Sequence, residues 1–348
     1  MKLCVIFGGI STEHDVSVVS GTSVIQNLNK TKYEIYPTYI DKDGTWYRYN
    51  KPINEIKVVP IGTKLEELTK IDNIIEYLKQ MDVVFPVLHG LGGEDGSIQG
   101  LFKIVNIPYV GCGILASSVG MDKVYAKIIF EKAGIPQTKH EYVKSINNEY
   151  TYVYPDFKEE KMDLENIVQI IDKKLSYPMF IKPSNSGSSV GVKKAKSKEE
   201  LQEAIIYASK YDEKILIEQG IIGRELECAV LENEEVITSP VGEILSAEDF
   251  YSFDAKYENQ ESKTVIPADI DKEISNQIRD LAIKAFKAID GKGLSRVDFF
   301  VENKTNKIYI NEINTLPGFT TISMYPKLFE QIGITYQELL DKLIELAK

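Results

Sequence analysis

The sequence predicts an α/β protein that begins with an open, mostly parallel β-sheet. Residues 82–88 (DVVFPVL) form a continuous apolar run, which is typical of a parallel strand covered on both faces. Strand and helix signals alternate through the first third of the chain, as in βαβ units. Gly8-Gly9 and His89-Gly90 directly follow predicted strands. Because such sheets bind ligands at the carboxyl ends of their strands, we expect both loops to reach one functional edge.

The elements of the predicted N-terminal domain, residues 1–116, follow from apolar periodicity and turn signals. The six apolar residues before Gly8 are too few for a signal-peptide core and predict a first strand at 3–7. An amphipathic helix is predicted at 16–28, after the glycine turn. Two further strands are predicted at 33–40, which ends in Asp-Lys-Asp-Gly, and at 107–110.

The remaining chain predicts two more units, residues 117–213 and 214–348. At about 100–200 residues per domain, 348 residues favour two or three domains. A helix at 121–133 is ended by Gly134 and Pro136, and the polar segment 145–165 is predicted to be an irregular surface insertion. The other predicted strands lie at 177–181, 190–193, 214–218, 225–231, 236–241, 295–301 and 307–313, and the other helices at 272–289 and 336–346.

The composition excludes several classes of protein. Forty-one basic against 52 acidic side chains give a net charge of −11, which argues against a general nucleic-acid binder because phosphates would be repelled. No apolar run approaches the roughly 18–20 residues of a membrane span, so no membrane partner is expected. Cys4, Cys112 and Cys228 are odd in number and far apart. We therefore expect buried free thiols in a reducing cytoplasm rather than disulfides or a zinc site.

Two segments are candidates for a nucleotide site, and each also has an ordinary explanation. Lys182 ends an apolar strand, and the Ser/Gly loop that follows, up to residue 191, could wrap an anion with its N–H groups. An exposed turn explains that loop equally well. Glu218 ends a strand and Glu225 follows it, so they could accept from an adenine amine and a ribose hydroxyl. A solvated acidic pair is the commoner outcome for two glutamates.

A cluster near the C-terminus carries the most specific signal. Arg296 and Asp298 lie two apart on one predicted strand and therefore on one face, and Glu312 and Asn314 do the same on the next. Carboxylate and amide oxygens suit Mg²⁺ that bridges polyphosphate oxygens, and the arginine would stabilise a transferring phosphoryl group or an oxyanion. The apolar residues between them anchor the strands, so a surface salt-bridge face is the less favoured explanation.

The chain as a whole resembles the D-alanine–D-alanine ligases of the ATP-grasp superfamily. Each matching segment is weak alone, but the set occurs in the family's order and runs nearly from end to end. The resemblance implies a two-lobed ATP-grasp domain, α+β in its ATP-binding part, after the N-terminal sheet domain. The matching segments are 7–17 (FGGISTEHDVS), 89–100 (HGLGGEDGSIQG), 121–123 (MDK), 182–191 (KPSNSGSSVG), 254–257 (DAKY) and 311–320 (NEINTLPGFT).

The resemblance implies roles for residues that bind ATP and metal. Three lysines would bind ATP: Lys123, Lys182 and Lys256. Glu218 would meet the adenine edge and Glu225 the ribose. Two Mg²⁺ ions, for which Mn²⁺ is an alternative, would be bound by Asp298, Glu312 and Asn314.

The resemblance also implies roles around the reacting amino acids. Arg296 and the backbone N–H of Gly318 would stabilise a tetrahedral oxyanion. Glu13 and Ser188 would orient the first amino acid, and Tyr257 would link to both from a loop that closes over the site. The second amino-acid pocket would be lined by His89, Ser323 and Met324, although His89 is equally well explained as a cap of its strand.

The implied activity is the ATP-dependent joining of two D-alanines through an acyl phosphate, for peptidoglycan precursor synthesis. ATP would phosphorylate the first carboxylate, and the amine of the second amino acid would displace phosphate. Because an acyl phosphate hydrolyses in water, the loops at 184–191 and 250–262 are expected to act as lids. The resemblance further implies small-molecule substrates, a cytoplasmic location and a homodimer.

Several alternatives are weighed against this interpretation. In relatives that use D-lactate, a histidine stands where this chain has Tyr257, and D-serine and D-lactate enzymes tend to carry arginine in place of Met324. Both positions favour D-alanine, and D-serine stays open. Gly220 replaces a large apolar residue near the adenine, so Ile221 or Ile222 would have to fill the gap. A dinucleotide-dependent oxidoreductase is disfavoured, because the Gly-x-Gly-x-x-Gly motif is absent after the first predicted strand. A non-catalytic ATP-binding regulator is also disfavoured, because it would be free to lose the metal ligands that this chain keeps.

Overall fold

The computed structural model describes residues 1–232, 235–245 and 263–348. These residues form three sheets, each with its own helices. Among them, no helix is both long and apolar enough to cross a membrane. The α/β class with an N-terminal open sheet is confirmed, and the described part of residues 117–348 is built on two antiparallel sheets.

The first sheet has a parallel centre and an antiparallel edge. Its parallel strands are β1 in the middle, flanked by β2 and β5, and β3 and β4 extend the sheet in antiparallel fashion. The predicted strand at 107–110 forms only a single bridge, between Val84 and Tyr109. The elements are β1 (Lys2–Gly8), α1 (His14–Asn27), β2 (Glu34–Ile40), β3 (Trp46–Tyr49), β4 (Leu68–Lys70), α2 (Ile74–Leu78), β5 (Val83–Val87) and α3 (Ser97–Val105).

The loops after β1 and β5 do meet at one edge of this sheet. The Ser17 hydroxyl accepts from the Gly8 N–H at 2.8 Å and donates to the Val87 carbonyl at 2.5 Å. The Ser11 hydroxyl donates to the carbonyl of His89 at 2.6 Å. A buried hydroxyl therefore joins the two strand ends, as the parallel arrangement predicts.

The middle sheet has the order β10-β9-β11-β6-β7-β8 and is antiparallel throughout. The prediction of an irregular insertion at 145–165 is wrong, because β7 and β8 lie there. The turn between β6 and β7 is Asn147-Asn148, and both residues have positive φ, of 53° and 61°, as a tight hairpin turn requires. The elements are α4 (Ile114–Met121), α5 (Lys123–Lys132), β6 (His140–Ile146), β7 (Glu149–Val153), β8 (Glu159–Lys161), α6 (Leu164–Lys174), β9 (Met179–Pro183), β10 (Lys193–Ala195), α7 (Lys198–Ala208) and β11 (Lys214–Gln219).

The third sheet has the order β15-β14-β12-β16-β17, with β13 paired to β12. Its last two helices pack against the first sheet, since Leu339 and Tyr325 share a buried cluster with Phe7 and Phe85. The elements are β12 (Gly223–Glu232), β13 (Val236–Thr238), β14 (Gly242–Leu245), β15 (Lys263–Val265), α8 (Lys272–Ala288), β16 (Leu294–Glu302), β17 (Ile308–Asn314), α9 (Met324–Glu330) and α10 (Tyr336–Leu346).

Sheet membership bears on the predicted domain boundaries. A boundary at 213/214 separates β11 from β9 and β6, the strands with which it pairs. The buried Ala126 and Phe130 of α5 pack in one cluster with Val297 and Phe299 of the third sheet. We therefore propose that the middle lobe begins near β6 and ends after β11, and that α4 and α5 belong with the C-terminal lobe.

Candidate active site

The C-terminal cluster forms the floor of the site, as its spacing predicts. Strands β16 and β17 are antiparallel neighbours, with Arg296 opposite Asn314 and Asp298 opposite Glu312. The Arg296 guanidinium donates two hydrogen bonds of 2.7 Å to the two oxygens of Asp298. The amide nitrogen of Asn314 donates to the same carboxylate at 3.0 Å. The four side chains therefore share one face of the sheet.

A fifth residue of this floor, Glu227, was not predicted. It lies on β12 opposite Asp298, and its Oε2 is 3.1 Å from Nε of Arg296. Burial alone would lower the pKa of Arg296, but Asp298 and Glu227 outweigh it and raise that pKa well above its ordinary value. The signal was present in the sequence, because Glu227 is two residues from Glu225 on a predicted strand and so on the same face.

The donor set on this floor fits a divalent metal. Asp298, Glu312 and Asn314 offer carboxylate and amide oxygens, the hard ligands that Mg²⁺ and Mn²⁺ prefer. Glu312 and Asn314 line the cavity above the floor, whereas Asp298 is only 2 % exposed and lies beneath Arg296. Metal binding by all three would require the Asp298 carboxylate to turn from Arg296 toward the cavity.

The Ser/Gly loop after β9 lies over this floor. Ser188 and Ser189 have positive φ, of 46° and 61°, and the Ser188 hydroxyl donates to the carboxylate of Glu13. The same carboxylate packs so closely on Gly187 that a Cβ there would lie 2.2 Å from Glu13 Oε2. Two residues that the sequence assigns to the first amino acid are therefore in direct contact.

The root of the loop is fixed by a residue that sequence reasoning left without a role. Asp122 caps α5 by accepting from Val124 N–H at 3.2 Å, and it accepts from the Ser184 hydroxyl at 2.6 Å. Lys214 also contacts this carboxylate. The next residue, Lys123, donates to the carbonyl of Ser186 at 2.5 Å. One carboxylate thus holds the loop and its neighbouring lysine together.

Glu218 lies in the cleft between the middle and C-terminal sheets. Its Oε2 is 2.7 Å from Nζ of Lys182, and its Oε1 is 2.6 Å from Nζ of Lys127 and accepts from Thr138 at 2.7 Å. Burial raises the pKa of Glu218, but the two lysines outweigh it and hold that pKa below its usual value. Lys127 and Thr138 were not predicted, because nothing in the local pattern marks them. Glu225 lines the same cleft. Because Glu218 is buried and paired with two lysines, it is not a member of a solvated acidic pair.

Gly220 leaves no gap in this cleft. A Cβ there would lie 2.9 Å from the Pro178 carbonyl oxygen and 3.0 Å from the Phe180 ring. Phe180 and Pro178 line the cleft beside Gly220, and Ile221 and Ile222 line it as well, with Ile222 74 % exposed. An aromatic ring on β9 thus borders the space that a side chain at position 220 would occupy.

The predicted second pocket is assembled from two separate segments, the loop after β5 with His89 and the start of α9 with Ser323 and Met324. The ring nitrogens of buried His89 lie 2.9 Å from the Ser20 hydroxyl and 3.2 Å from the Leu316 carbonyl oxygen. Burial lowers the pKa of His89 and outweighs the opposing effect of Glu13, which favours the neutral ring. Met324 packs against Gly242, where a Cβ would lie 2.3 Å from its methyl group.

The neighbours of His89 have separable tasks. Glu94 accepts from Gly90 N–H at 3.0 Å and from Leu316 N–H at 3.3 Å, so it joins the loop after β5 to the loop after β17. Burial, with the charge of Glu13 nearby, raises the pKa of Glu94 to about 8. Asp95 accepts from Gly92 and Ser97 N–H groups and so shapes the turn before α3. Glu94 supports the site, whereas Asp95 acts as a local cap.

Two adjoining cavities gather most of the predicted residues. A cavity of about 170 Å³ is lined by ten of them: Glu13, His89, Lys123, Ser188, Arg296, Glu312, Asn314, Gly318, Ser323 and Met324. A second, of about 650 Å³, is lined by Lys123, Lys182, Ser188, Glu218, Glu225 and Glu312. Three of the predicted residues border both: Lys123, Ser188 and Glu312. Lys256 and Tyr257 lie outside the described residues.

The fold and the site together define an ATP-grasp enzyme, with a nucleotide-sized cleft between two antiparallel sheets that opens beside a small polar cavity. The family model for the D-ala D-ala ligase N-terminus matches residues 2–112, and that for the D-ala D-ala ligase C-terminus matches residues 129–345. The chain belongs to the D-alanine–D-alanine ligase family.

Individual relatives are similar to this chain over nearly its whole length. A D-alanine–D-alanine ligase of Acetivibrio thermocellus is 52% identical over 99% of this chain and 95% of its own length. The ligase of Caldicellulosiruptor bescii is 48% identical over 100% and 95%. Among solved structures, the VanG D-Ala:D-Ser ligase of Enterococcus faecalis aligns with a TM-score of 0.82 at 37% identity, covering 100% of this chain and 99% of its own. The D-alanine–D-alanine ligase of Coxiella burnetii gives 0.80 at 33%, covering 100% and 93%.

Proposed function

We propose that this enzyme joins two molecules of D-alanine into D-alanyl-D-alanine at the expense of ATP, for peptidoglycan precursor synthesis. The observation that carries the proposal is the shared wall of the two cavities. Lys123, Ser188 and Glu312 border both the nucleotide cleft and the cavity that holds Glu13 and Arg296. A carboxylate bound in the smaller cavity would therefore lie next to the terminal phosphate of a nucleotide in the larger one.

The residues of the smaller cavity divide the work in two steps. Glu13, fixed by Ser188, would pair with the ammonium group of the first D-alanine and direct its carboxylate to the phosphate. When the amine of the second D-alanine attacks the acyl phosphate, charge develops on the former carboxylate oxygen. Arg296 and the Gly318 N–H would stabilise that charge. The new C–N bond forms, the C–O bond to phosphate breaks, and the departing phosphate can accept the proton that the amine loses.

The nucleotide would be held from three directions. Lys123 and Lys182 would bind its phosphates, Glu218 its adenine edge and Glu225 its ribose. We also assign a phosphate contact to Lys256 and a lid role to Tyr257. Two Mg²⁺ ions, or Mn²⁺ in their place, would be bound by Asp298, Glu312 and Asn314. When bound, they would neutralise phosphate charge and so weaken the repulsion between ATP and the attacking carboxylate.

The second substrate is assigned from Met324. Its thioether is buried beside Gly242 and the apolar Leu328, which suits a methyl side chain better than a hydroxymethyl group. Likeness to the VanG D-Ala:D-Ser ligase keeps D-serine as the second candidate. A purely regulatory role is disfavoured, because every described residue that turnover would need is retained.

Phosphate release identifies the substrates directly. With ATP and Mg²⁺, we expect turnover with D-alanine alone and a product with the mass of D-alanyl-D-alanine. A requirement for D-alanine together with D-serine would overturn the assignment of Met324. Silence with D-alanine, D-serine and D-lactate in every pairing would contradict the proposed activity as a whole, and L-alanine serves as the stereochemical control.

We further propose that the enzyme is a cytoplasmic homodimer. The cytoplasm supplies ATP and keeps thiols reduced, and all three cysteines are free and buried. Ile104 on α3 is 81 % exposed, and Leu115 at the start of α4 is 61 % exposed. Exposing large apolar side chains to water is unfavourable, and burying them in an interface would stabilise the protein. A second copy of the chain would cover them.

Replacing Ile104 by Asp is expected to convert the dimer to a monomer, because it places a charge at the apolar contact. Sedimentation velocity at micromolar concentration measures the change directly. Ile206→Asp, on the exposed face of α7, is the matched control and should leave the dimer intact. A monomeric wild-type chain, or a dimer that survives Ile104→Asp, would contradict this surface.

A further inference from the structure

Lys127 is a buried lysine that the proposed mechanism does not use. It lies in the middle of α5, and its side chain is 3 % exposed. Its Nζ is 2.6 Å from Oε1 of Glu218, the residue assigned to the adenine edge. Burial lowers the pKa of Lys127 and outweighs the opposing effect of Glu218. A lysine is rarely buried to this extent without a specific partner, and its partner here belongs to the site.

Lys127 does not face the nucleotide cleft directly. The cavity between the two lobes is lined by Glu218, Lys182 and Thr138, and Lys127 is absent from its wall. Lys127 contacts Glu218 from the buried side. Lys182 contacts Glu218 from the side of the cavity, and its side chain is 16 % exposed. Any effect of Lys127 on ATP must therefore pass through the carboxylate of Glu218.

The two lysines differ in whether they would stay on Glu218 when a nucleotide binds. Lys182 would move to the phosphates, whereas Lys127 would keep its contact with Glu218. Lys182 is assigned to the phosphates, and a polyphosphate in the cleft would draw its ammonium away from Oε2 of Glu218. A buried carboxylate that loses its only cation pays a large desolvation penalty. With Lys127 and the Thr138 hydroxyl both fixed on Oε1, the carboxylate stays charged and correctly turned when Oε2 is released.

We propose that Lys127 is a positioning residue that holds Glu218 as a charged hydrogen-bond acceptor for the exocyclic amine of adenine, and that it thereby selects ATP over 6-oxopurine nucleotides. The inference rests on the proposed adenine role of Glu218. The amine at position 6 of adenine donates to a carboxylate, whereas the 6-oxo group of hypoxanthine or guanine presents an acceptor and is repelled. A fixed charge on Glu218 makes that difference larger, because a site built for a donor strongly rejects a base that lacks it.

Nucleotide selectivity tests the proposal in a way that a purely structural role would not affect. Dissociation constants are measured by calorimetry with Mg²⁺ for ATP, for ITP and for purine riboside 5′-triphosphate, which has no substituent at position 6. In Lys127→Met, we expect ATP to bind about tenfold more weakly, and purine riboside triphosphate to change less than twofold. The preference of the wild type for ATP over ITP should fall by a similar factor.

The controls keep a fold defect apart from the proposed effect. Lys132→Met, in the exposed last turn of the same helix, should bind all three nucleotides as the wild type does. If Lys127→Met does not fold, Thr138→Val removes the other fixed partner of Oε1 at nearly constant shape and should show the same selectivity change on a smaller scale.

Two outcomes would overturn the inference. One is an equal loss of affinity for ATP and purine riboside triphosphate in the variant. The other is a wild-type protein that binds these two nucleotides equally, which would remove the amine contact altogether. Because binding is measured without amino acids, a failure of the proposed ligase reaction leaves both readouts intact and is recognised separately by the absence of phosphate release.

Discussion

Glu312→Gln is expected to lower kcat for phosphate release by about 10³-fold, with ATP and Mg²⁺ at concentrations that saturate the wild type. The change keeps the shape of the side chain but removes one of the two carboxylates proposed to bind metal. The loss corresponds to several kcal/mol of charge stabilisation, at about 1.4 kcal/mol for each tenfold change. Excess Mg²⁺ or Mn²⁺ should recover part of the rate, since the amide keeps a weaker oxygen ligand.

Position on the same sheet provides the control for this variant. Glu302 lies at the far end of β16, where its carboxylate accepts from the Thr305 hydroxyl. Glu302→Gln should therefore leave kcat within about twofold of the wild type, as an ordinary exposed substitution does. If Glu312→Gln retained full activity at limiting Mg²⁺, the metal assignment would be wrong, and the same would hold for Asp298→Asn.

Arg296→Lys is expected to lower kcat by about 10²–10³-fold, the range seen when one donor to a developing oxyanion is removed. Lysine keeps the positive charge between Asp298 and Glu227, so the fold should persist. It cannot reproduce the planar set of N–H donors of the guanidinium, two of which donate to Asp298 at 2.7 Å in this structure. Steady-state kinetics should therefore show a fall in kcat with a smaller change in the KM for ATP.

The more drastic change at this position separates stability from catalysis. Arg296→Met leaves two buried carboxylates without their cation, which costs about 3–5 kcal/mol of folding free energy. Thermal unfolding should reveal that loss in Arg296→Met and little of it in Arg296→Lys. Arg279→Lys on α8, which breaks a side-chain contact with Thr238 away from the site, is the matched control. A kcat within tenfold of the wild type in Arg296→Lys would exclude the oxyanion role.

The substitutions at Glu312 and Arg296 both change residues of the floor. The pairing of strands β16 and β17 arranges these residues. Asp298 pairs with Glu312, and Arg296 pairs with Asn314, so the four side chains form two successive pairs on one face of the β16–β17 ladder. The register shifts directly after Asp298, between it and Phe299. Such an irregularity twists a strand locally and is often found next to an active site. The site therefore lies on the side of this irregularity that is next to the loop that carries Gly318.

Local patterns in the sequence predicted how most of the floor is arranged. Side chains two apart on a strand must share a face, so Arg296 and Asp298 were correctly placed together without any knowledge of the fold. The helix at 336–346 was equally predictable, because Thr335 and Glu338 form a capping box at its start. One wrong prediction, the irregular insertion at 145–165, also had a local cause. Asn147-Asn148 is a sequence typical of a hairpin turn, but the polarity of the surrounding segment concealed the strands β7 and β8.

Only the tertiary structure decided which distant residues act together. Lys127 meets Glu218, and Glu13 meets Ser188, across separations of 91 and 175 positions. No periodicity encodes such contacts, because they depend on how α5, which packs with the third sheet, also meets β11 of the middle sheet, and on how the lobes face each other. Burial then sets the energetics, since the same lysine or carboxylate in water would keep an ordinary pKa and need no partner. The sequence by itself determined which groups could do the chemistry, and the fold decided which of them are close enough, and dry enough, to interact.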